Sequence, residues 1–265
     1  MDLSTTARVK SYLGIPSSKT ESDALIAQLV TRASGQVTKF CTRSFGRQVT
    51  TGARFDGTGN DRQMLPNTPI ISVESLSVDG VAIAASADAI AAGYQFDDTM
   101  LYLFGYVFTR GRRNVLVSYT AGFSSSEADL IPATSPYTIT PSTSDANGND
   151  GASLAVTDRG VVFTTTGVAL ALVAGTPTTG QYNFAGGIYT FAAADKGLSV
   201  TMSYDYVPAA VEQACIEMVA LKLRQRDNIG VQSRVLAGET VTYTDRDMTA
   251  AVKGLLGPYN RRAPV

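Results

Sequence analysis

The sequence predicts an α+β fold: a helical core with a small antiparallel sheet, an inserted all-β domain of sandwich type, and an extended C-terminal tail. Three observations support this prediction. Apolar residues recur at helical spacing near both ends of the chain, short β-type segments occupy the middle, and the final segment is poor in large apolar side chains. The expected boundaries are residues 1–123 with 207–228 for the core, 124–206 for the insert and 229–265 for the tail.

The clearest helix is predicted over Pro208–Asp227, where an initial proline and a basic C-terminal end both suit a helix. Glu212 and Glu217 are expected on its solvent face. Two earlier helices, Thr5–Leu13 and Ser22–Phe40, are predicted to form an antiparallel pair. The residues expected to pack the long helix into the core are Val211, Cys215, Met218 and Val219.

Beyond Cys41 the pattern changes to short segments rich in β-branched and aromatic residues, separated by turn signals such as DG and PNTP. Six strands are predicted in the small sheet: Val49–Phe55, Arg62–Leu65, Ile70–Val78, Tyr94–Phe96, Met100–Phe104 and Asn114–Tyr119. Six more are predicted in the insert: Tyr137–Thr140, Val161–Thr164, Ala169–Val173, Gln181–Phe184, Ile188–Phe191 and Leu198–Tyr206.

Charge and a weak repeat both mark the insert. Residues 124–206 contain seven acidic and two basic residues, a net charge of −5, which leaves +4 on the remainder of a chain whose net charge is −1. The segments NVLVSYTAGF and LSVTMSYDYV share the pattern V-x-x-SY. Either two ordinary strands are alike by chance, or the chain leaves a sheet edge at Tyr119 and returns to it near Tyr206.

Composition excludes several kinds of catalytic site. The chain has no histidine, so Ser-His-Asp and Cys-His triads and histidine-ligated zinc are excluded. No phosphate-loop pattern occurs, and no cofactor or metal is expected. Cys41 and Cys215 are expected as separate buried residues. The sequence has neither a bilayer-spanning apolar run nor a secretion signal, so no membrane partner is expected, and synthesis is expected in a cytoplasm.

With the insert set aside, the order of segments resembles the head-tail connector family of long-tailed bacteriophages, also called adaptor or head-completion proteins. The matching pieces include TARVKSYLGI, SDALIAQLVTRASGQVTKFCTRSF, LPNTPIISVESLSVDG, VSYTAGF, AAVEQACIEMVALKLRQRD and IGVQSRVLAGETVTYTDRDM. These pieces cover about two thirds of the chain, and none is a catalytic signature. The insert departs from the usual compact pattern and resembles a β-module of phage structural proteins.

The resemblance implies a structural virion protein at the head-tail junction, made in the cytoplasm of a host bacterium. It implies a ring of twelve copies beneath the portal protein, joined below to a stopper or tail-terminator protein. DNA would pass through the ring without sequence-specific binding. The balance of 22 basic and 23 acidic residues, with no long basic run, agrees with a surface that does not bind DNA strongly.

The resemblance also implies that the C-terminal tail docks onto the portal. Apolar residues that alternate along the tail could add a strand to a partner's sheet edge. The alternative is that the tail folds back onto its own domain. The candidate docking residues are Val231, Arg234, Leu236, Glu239, Val241, Tyr243, Tyr259, Arg261 and Arg262.

Two other classes of function remain open. The insert could be a decoration module or bind a host-surface sugar, and exposed rows of aromatic residues would favour that reading. Its candidates are Tyr182, Phe184, Tyr189 and Phe191, although their alternation also fits a core. An enzyme would need a pair of carboxylates in one cleft, and the candidates are Asp97 with Asp98 or Asp56 with Asp61, which turn formation also explains.

Overall fold

Strand is the dominant regular structure of this protein. A computed structural model describes residues 1–88, 90–141, 154–225, 233–236, 239–242 and 248–260, and these residues form sixteen strands and four α-helices. The expected fold class, a helical core with a small antiparallel sheet, is therefore wrong, because the protein is β-rich. The physical reason is that the strands bury their apolar faces in clusters of their own and do not depend on the helices for a core.

The chain divides into two compact units. One contains the helices, in Met1–Arg43 and from Val207 onward, and the other contains Ser44–Thr140 and Ala155–Tyr206. The division after Arg43 differs from the predicted boundaries, which placed residues 44–123 with the helices. The small sheet and the predicted insert instead belong to one β unit.

The first half of the β unit has seven strands in two sheets. The strand order is β1-β7-β3-β4 in one sheet and β2-β6-β5 in the other. Buried residues from both sheets, including Leu101, Val117 and Tyr119, form a single hydrophobic cluster. The strands are β1 Gln48–Gly57, β2 Arg62–Met64, β3 Ile70–Val78, β4 Val81–Ile83, β5 Gly93–Phe96, β6 Met100–Phe104 and β7 Gly111–Ala121.

The second half also has seven strands in two sheets, ordered β10-β14-β8 and β11-β12-β13-β9. It has a separate hydrophobic cluster that includes Tyr189, Met202 and Tyr204. The strands are β8 Ser124–Leu130, β9 Thr138–Ile139, β10 Leu154–Phe163, β11 Ala171–Leu172, β12 Gln181–Ala185, β13 Ile188–Phe191 and β14 Ser199–Val207. A short 3-10 helix, Ala193–Asp195, precedes β14.

The sequence did not predict strands β4 and β8. Strand β8, SSSEADL, pairs along its length with β14, from Asp205 opposite Ser124 to Ser199 opposite Leu130. Strand β8 lies at an edge of its sheet, where serines and acidic residues can remain exposed to solvent. These polar residues hide the alternation of apolar and polar positions that would have indicated a strand. Edge position therefore explains the missed strand.

The helical unit contains α1 Thr6–Leu13, α2 Asp23–Cys41, α3 Ala209–Gln225 and α4 Ala250–Leu256. Thr5 caps α1 by accepting a hydrogen bond from the Arg8 N–H at 3.3 Å. The same unit holds a hairpin of β15, Ser233–Leu236, and β16, Glu239–Thr242, and a 3-10 helix, Gly257–Tyr259. None of the helices in the described ranges has the length and apolar character needed to cross a membrane.

Candidate assembly surfaces

Helix α3 is the centre of the helical unit. Its predicted core residues Val211, Cys215, Met218 and Val219 are each at most 1% exposed. Helices α1, α2 and α4 all contact it. Burial on several sides leaves little of α3 for a partner, so its role is to hold the unit together.

Glu212 is buried, which corrects the expectation that it faces solvent. Its side chain accepts a hydrogen bond from Ser4 Oγ at 3.1 Å and forms an ion pair with Arg8. Burial raises the pKa of Glu212, and the nearby Arg8 charge opposes that rise. The helical spacing failed to predict this position because Ser4, before α1, and Arg8, on α1, are far from Glu212 in sequence but supply its polar partners in the fold.

The two cysteines are structural residues. Both are fully buried and free, and burial raises the pKa of each thiol to about 11. Cys215 Sγ lies 3.7 Å from Ser34 Oγ on α2. A protonated, buried thiol is a poor nucleophile, so these cysteines act as small packing residues.

The part of the predicted docking tail that forms α4 packs against the helical unit. Helix α4 packs against α3, with Val252 and Leu256 buried, and Thr249 caps its first turn by accepting a hydrogen bond from the Val252 N–H at 3.2 Å. Tyr259 follows in the 3-10 helix. The tail thus folds back onto its own unit at α4, as the alternative reading expected.

The hairpin that precedes α4 contains four of the predicted docking residues. In its register Arg234 pairs with Val241, and Leu236 pairs with Glu239. Among the described residues this sheet has only two strands, so each strand has one edge without a strand neighbour. The remaining candidates, Val231, Tyr243, Arg261 and Arg262, lie outside the described residues.

A cleft of about 190 Å³ lies between α1, α3 and α4. Tyr12, Leu221 and Val252 contribute its apolar wall, and Glu217 and Arg224 contribute charges. Small-molecule sites are usually larger, about 300–1,000 Å³. The cleft is therefore a gap between packed helices, with room for about one side chain.

The aromatic residues of the insert belong to its core. Tyr182, Tyr189 and Phe191 are at most 3% exposed, and Phe184 packs against the same cluster. Tyr182 and Tyr189 donate hydrogen bonds to Asp158 at 2.5 and 3.0 Å, and burial together with this carboxylate raises the pKa of both phenols. These residues form no exposed aromatic row, so they do not support the sugar-binding reading.

Two of the candidate catalytic carboxylates, Asp97 and Asp56, accept hydrogen bonds from backbone N–H groups. Asp97 accepts hydrogen bonds from the N–H groups of Thr99 and Met100, both at 2.7 Å, and from the Tyr102 hydroxyl at 2.7 Å. Although partial burial raises its pKa, these hydrogen bonds lower it overall. Asp56 accepts a hydrogen bond from the Arg113 N–H at 2.6 Å. Asp97 therefore holds a local turn, and Asp56 on β1 accepts from the backbone of the neighbouring strand β7.

The sequence reading missed a surface on the outer side of the β2-β6-β5 sheet. Cross-strand pairing places Met64 beside Met100 and Arg62 beside Tyr102 on one face, and Phe104 follows two residues later on β6. We call these five residues the aromatic face. Leu101 and Leu103 are buried, whereas Met100, Tyr102 and Phe104 on the other face of β6 are partly exposed. The sequence MLYLF is apolar throughout and does not show this alternation.

Comparison with known proteins gives one family match. Residues 2–136, just over half of the 265 residues, match a family described as head completion protein. No curated protein matches the sequence. A similar solved structure is titled "Neck of empty GTA particle computed with C6 symmetry", with a TM-score of 0.39 and 13% identity over 98% of this chain and 90% of that chain.

Proposed function

The chain belongs to the head completion protein family, and we infer from this that it is a structural protein of the virion that connects the head to the tail. The observation that carries the inference is the family match, which includes α1, α2 and strands β1 to β8. The cysteines, the turn carboxylates and the buried tyrosines all have structural roles, which agrees with assembly as the activity.

We propose that twelve copies form a ring beneath the portal protein, and that a stopper or tail-terminator protein binds the other side. DNA passes through the ring without sequence-specific contacts. The near-neutral net charge of −1 supports this, because strong DNA binding requires an excess of basic residues at the contact. Synthesis takes place in the host cytoplasm before assembly.

We propose further that the β15-β16 hairpin is the part of the tail that docks onto the portal. Each strand of the described hairpin has an edge without a strand neighbour, and such an edge can pair with a strand of a partner through main-chain hydrogen bonds. Helix α4, which is packed on α3, tethers the hairpin to the helical unit. The hairpin lies in the chain between α3 and α4, so both of its ends connect to helices that pack on each other.

Replacement of residues 233–242 by a Gly/Ser segment of equal length tests this function. The free protein should keep its melting temperature within about 2 °C, because the replacement has the same length and α4 with its contacts to α3 is retained. Native mass spectrometry with the cognate portal protein should show a complex for the unaltered chain and none for the variant.

Point variants refine the same test. Val241→Asp should weaken portal binding, while Lys253→Ala, on the exposed side of α4, should bind like the unaltered chain. If the hairpin replacement still binds the portal, another surface docks. If the unaltered chain neither binds a portal nor joins heads to tails, the connector function itself is wrong.

A further inference from the structure

We propose that three arginines at the start of β7 bind the phosphate backbone of double-stranded DNA. Arg110 comes just before the strand, and Arg112 and Arg113 lie among its first residues. We call these three residues the arginine cluster. The proposal rests on the proposed function, in which DNA passes through a ring of these chains, and it names the side chains that contact the DNA.

The arginine cluster includes a bulge in β7. Between Phe55 and Gly57, where β1 advances by two residues, β7 advances by four, from Val115 to Gly111. Bulges of this kind redirect side chains and often lie beside functional sites. Arg113, within the bulge, has a φ of +53°, which is uncommon for a residue other than glycine. The strand pairing is thus interrupted where the arginines lie.

Hydrogen bonds hold the bulge in one conformation. The Arg113 N–H donates to Asp56 Oδ1 at 2.6 Å. The Asn114 side chain accepts from the Gly57 N–H at 2.9 Å and donates to the Thr109 carbonyl at 2.8 Å. These bonds use main-chain groups and the Asn114 amide, so they leave the guanidinium groups free to bind a ligand. Because the loop is already ordered, binding costs less conformational entropy.

Positive charge predominates around the cluster even when its acidic neighbours are counted. Residues 54–62, residues 109–113 and Asp79 together contain five arginines and three aspartates, a net charge of +2 in a chain whose net charge is −1. Asp79 accepts hydrogen bonds from the side chains of Thr109 and Asn114. All three arginines of the cluster are exposed, and within the described part of the chain none of them forms an ion pair.

The surroundings of the cluster suit a phosphate backbone. Thr58, Gly59 and Asn60 are exposed beside it and present no large apolar side chain. A Cβ at Gly59 would lie 2.9 Å from Arg110 Cγ, so the stem of Arg110 lies against this glycine. Arginine forms paired, charge-assisted hydrogen bonds with phosphate oxygens. An excess of unpaired arginines on a polar, ordered loop therefore fits a polyanion.

The contact is weak and independent of base sequence. Contacts to phosphates carry no direct sequence information, and their strength falls steeply with salt because counterions are released. Three arginines in each copy give few contacts, which agrees with DNA that passes and is not held. A ring presents one cluster for each copy, so the contacts add around the duplex.

Fluorescence anisotropy of the full chain with a labelled duplex of about 30 base pairs at low salt tests the contact. The combined variant Arg110→Gln, Arg112→Gln and Arg113→Gln should bind at least about tenfold more weakly. The slope of log K against log salt should become shallower by about 2.7, which is about 0.9 for each of three phosphate contacts. The fold should be retained, because the bond from residue 113 to Asp56 uses the main-chain N–H.

Three further measurements serve as controls. Lysine at the same three positions keeps the charge and should restore most of the affinity and of the salt slope. The combined variant Lys19→Gln, Arg32→Gln and Lys39→Gln removes the same charge from exposed positions of the helical unit and should bind like the unaltered chain. Duplexes rich in A·T and in G·C should bind equally well, and a tenfold preference for either would overturn the phosphate contact.

A protein partner at this loop is the competing outcome. Tyr106 and Val107, 45% and 48% exposed just before the cluster, have side chains that suit a protein interface. If the glutamine variant binds DNA as tightly as the unaltered chain but loses self-association or portal binding, the cluster contacts protein and the inference is overturned. Equal losses of DNA affinity in the glutamine variant and in the helical-unit control would also overturn it.

The outcomes also separate this inference from the proposed function. A chain that joins heads to tails but binds no duplex at up to about 100 μM protein and low salt overturns the inference and leaves the connector function standing. Cluster-dependent DNA binding by a chain that does not join heads to tails supports the arginine contact and contradicts the connector function.

Discussion

At the residue scale, the Glu212 carboxylate is 3% exposed near the start of α3. Desolvation favours its neutral form, while Arg8 and Ser4 favour the charged form. Desolvation is the larger effect, so the pKa of Glu212 in the folded protein lies above its ordinary value of 4.5. A raised carboxyl pKa means that the folded chain retains a proton that the unfolded chain has already lost.

This difference predicts a pH-dependent stability. The contribution from Glu212 is fully present below its unfolded pKa and is lost as pH rises through its folded pKa. Glu212→Gln keeps an acceptor for Ser4 but cannot ionise. Urea unfolding between about pH 4 and 7 should therefore show that the stability of the unaltered chain relative to this variant falls as pH rises. A difference that is constant, or that rises with pH, would contradict the assigned direction.

Substitutions at the adjacent positions Met218 and Glu217 test which face of α3 is buried. Met218 is 1% exposed, so Met218→Asp would bury an unpaired charge and should destabilise the helical unit by at least about 3 kcal/mol. Glu217 is partly exposed and accepts a hydrogen bond from Gln213 at 2.9 Å. Glu217→Gln should therefore change the melting temperature little in thermal unfolding. Comparable losses of stability in both variants would mean that a different face of α3 is buried.

At the element scale, α4 determines how much of the C-terminal tail is available for docking. Its sequence AAVKGLL is short for an isolated helix, and helices of this length are stable only when packed. Packing against α3 buries Val252 and Leu256. The docking proposal therefore concerns the hairpin and does not extend to the whole segment 229–265.

Removal of α4 should destabilise the free protein. Truncation after Asp247 loses the burial of Val252 and Leu256, worth about 1.5–3 kcal/mol each. Val252→Asp should reproduce most of this loss in denaturant unfolding. Lys253→Asp, at the adjacent exposed position, is the control and should be nearly neutral. If truncation leaves the free energy of unfolding unchanged, α4 does not contribute to the fold.

At the scale of the whole molecule, the β unit contains two separate hydrophobic clusters. One cluster extends from Leu65 to Ala121, and the other includes residues from Ile131 to Tyr206. Phe123 stacks on Phe45 at 5.9 Å and contacts the edge of Tyr206 at 5.8 Å. Separate clusters support the proposal that 124–206 is an insertion with its own core, although both clusters lie in one compact unit.

Deletion of the insert tests that proposal. Replacement of Ser124–Asp205 by a short Gly/Ser linker should leave a chain that unfolds cooperatively and retains its helical circular dichroism signal. Some stability should be lost, because Asp205 lies 3.9 Å from Arg47 and also pairs with Arg159. Loss of cooperative unfolding would show that residues 44–123 cannot fold without the second cluster.

Strand and helix positions were largely predictable because they depend on local patterns. Predicted strands Ile70–Val78, Met100–Phe104 and Ile188–Phe191 coincide with β3, β6 and β13, and the predicted helix Thr5–Leu13 differs from α1 by one residue. Strand β8 was missed because its polar edge sequence does not alternate clearly. The aromatic face was missed because its residues come from two strands whose pairing the sequence does not specify.

The sequence by itself determined the periodicity of each element, the absence of histidine chemistry and the family. Only the tertiary structure decided that the strands form their own unit, that α4 packs on α3 and that Glu212 is buried beside Arg8. The physical reason is distance along the chain. Turns and amphipathic spacing act over a few residues, whereas the Arg8–Glu212 pair joins positions 204 residues apart, and the energy of such contacts depends on the assembled fold.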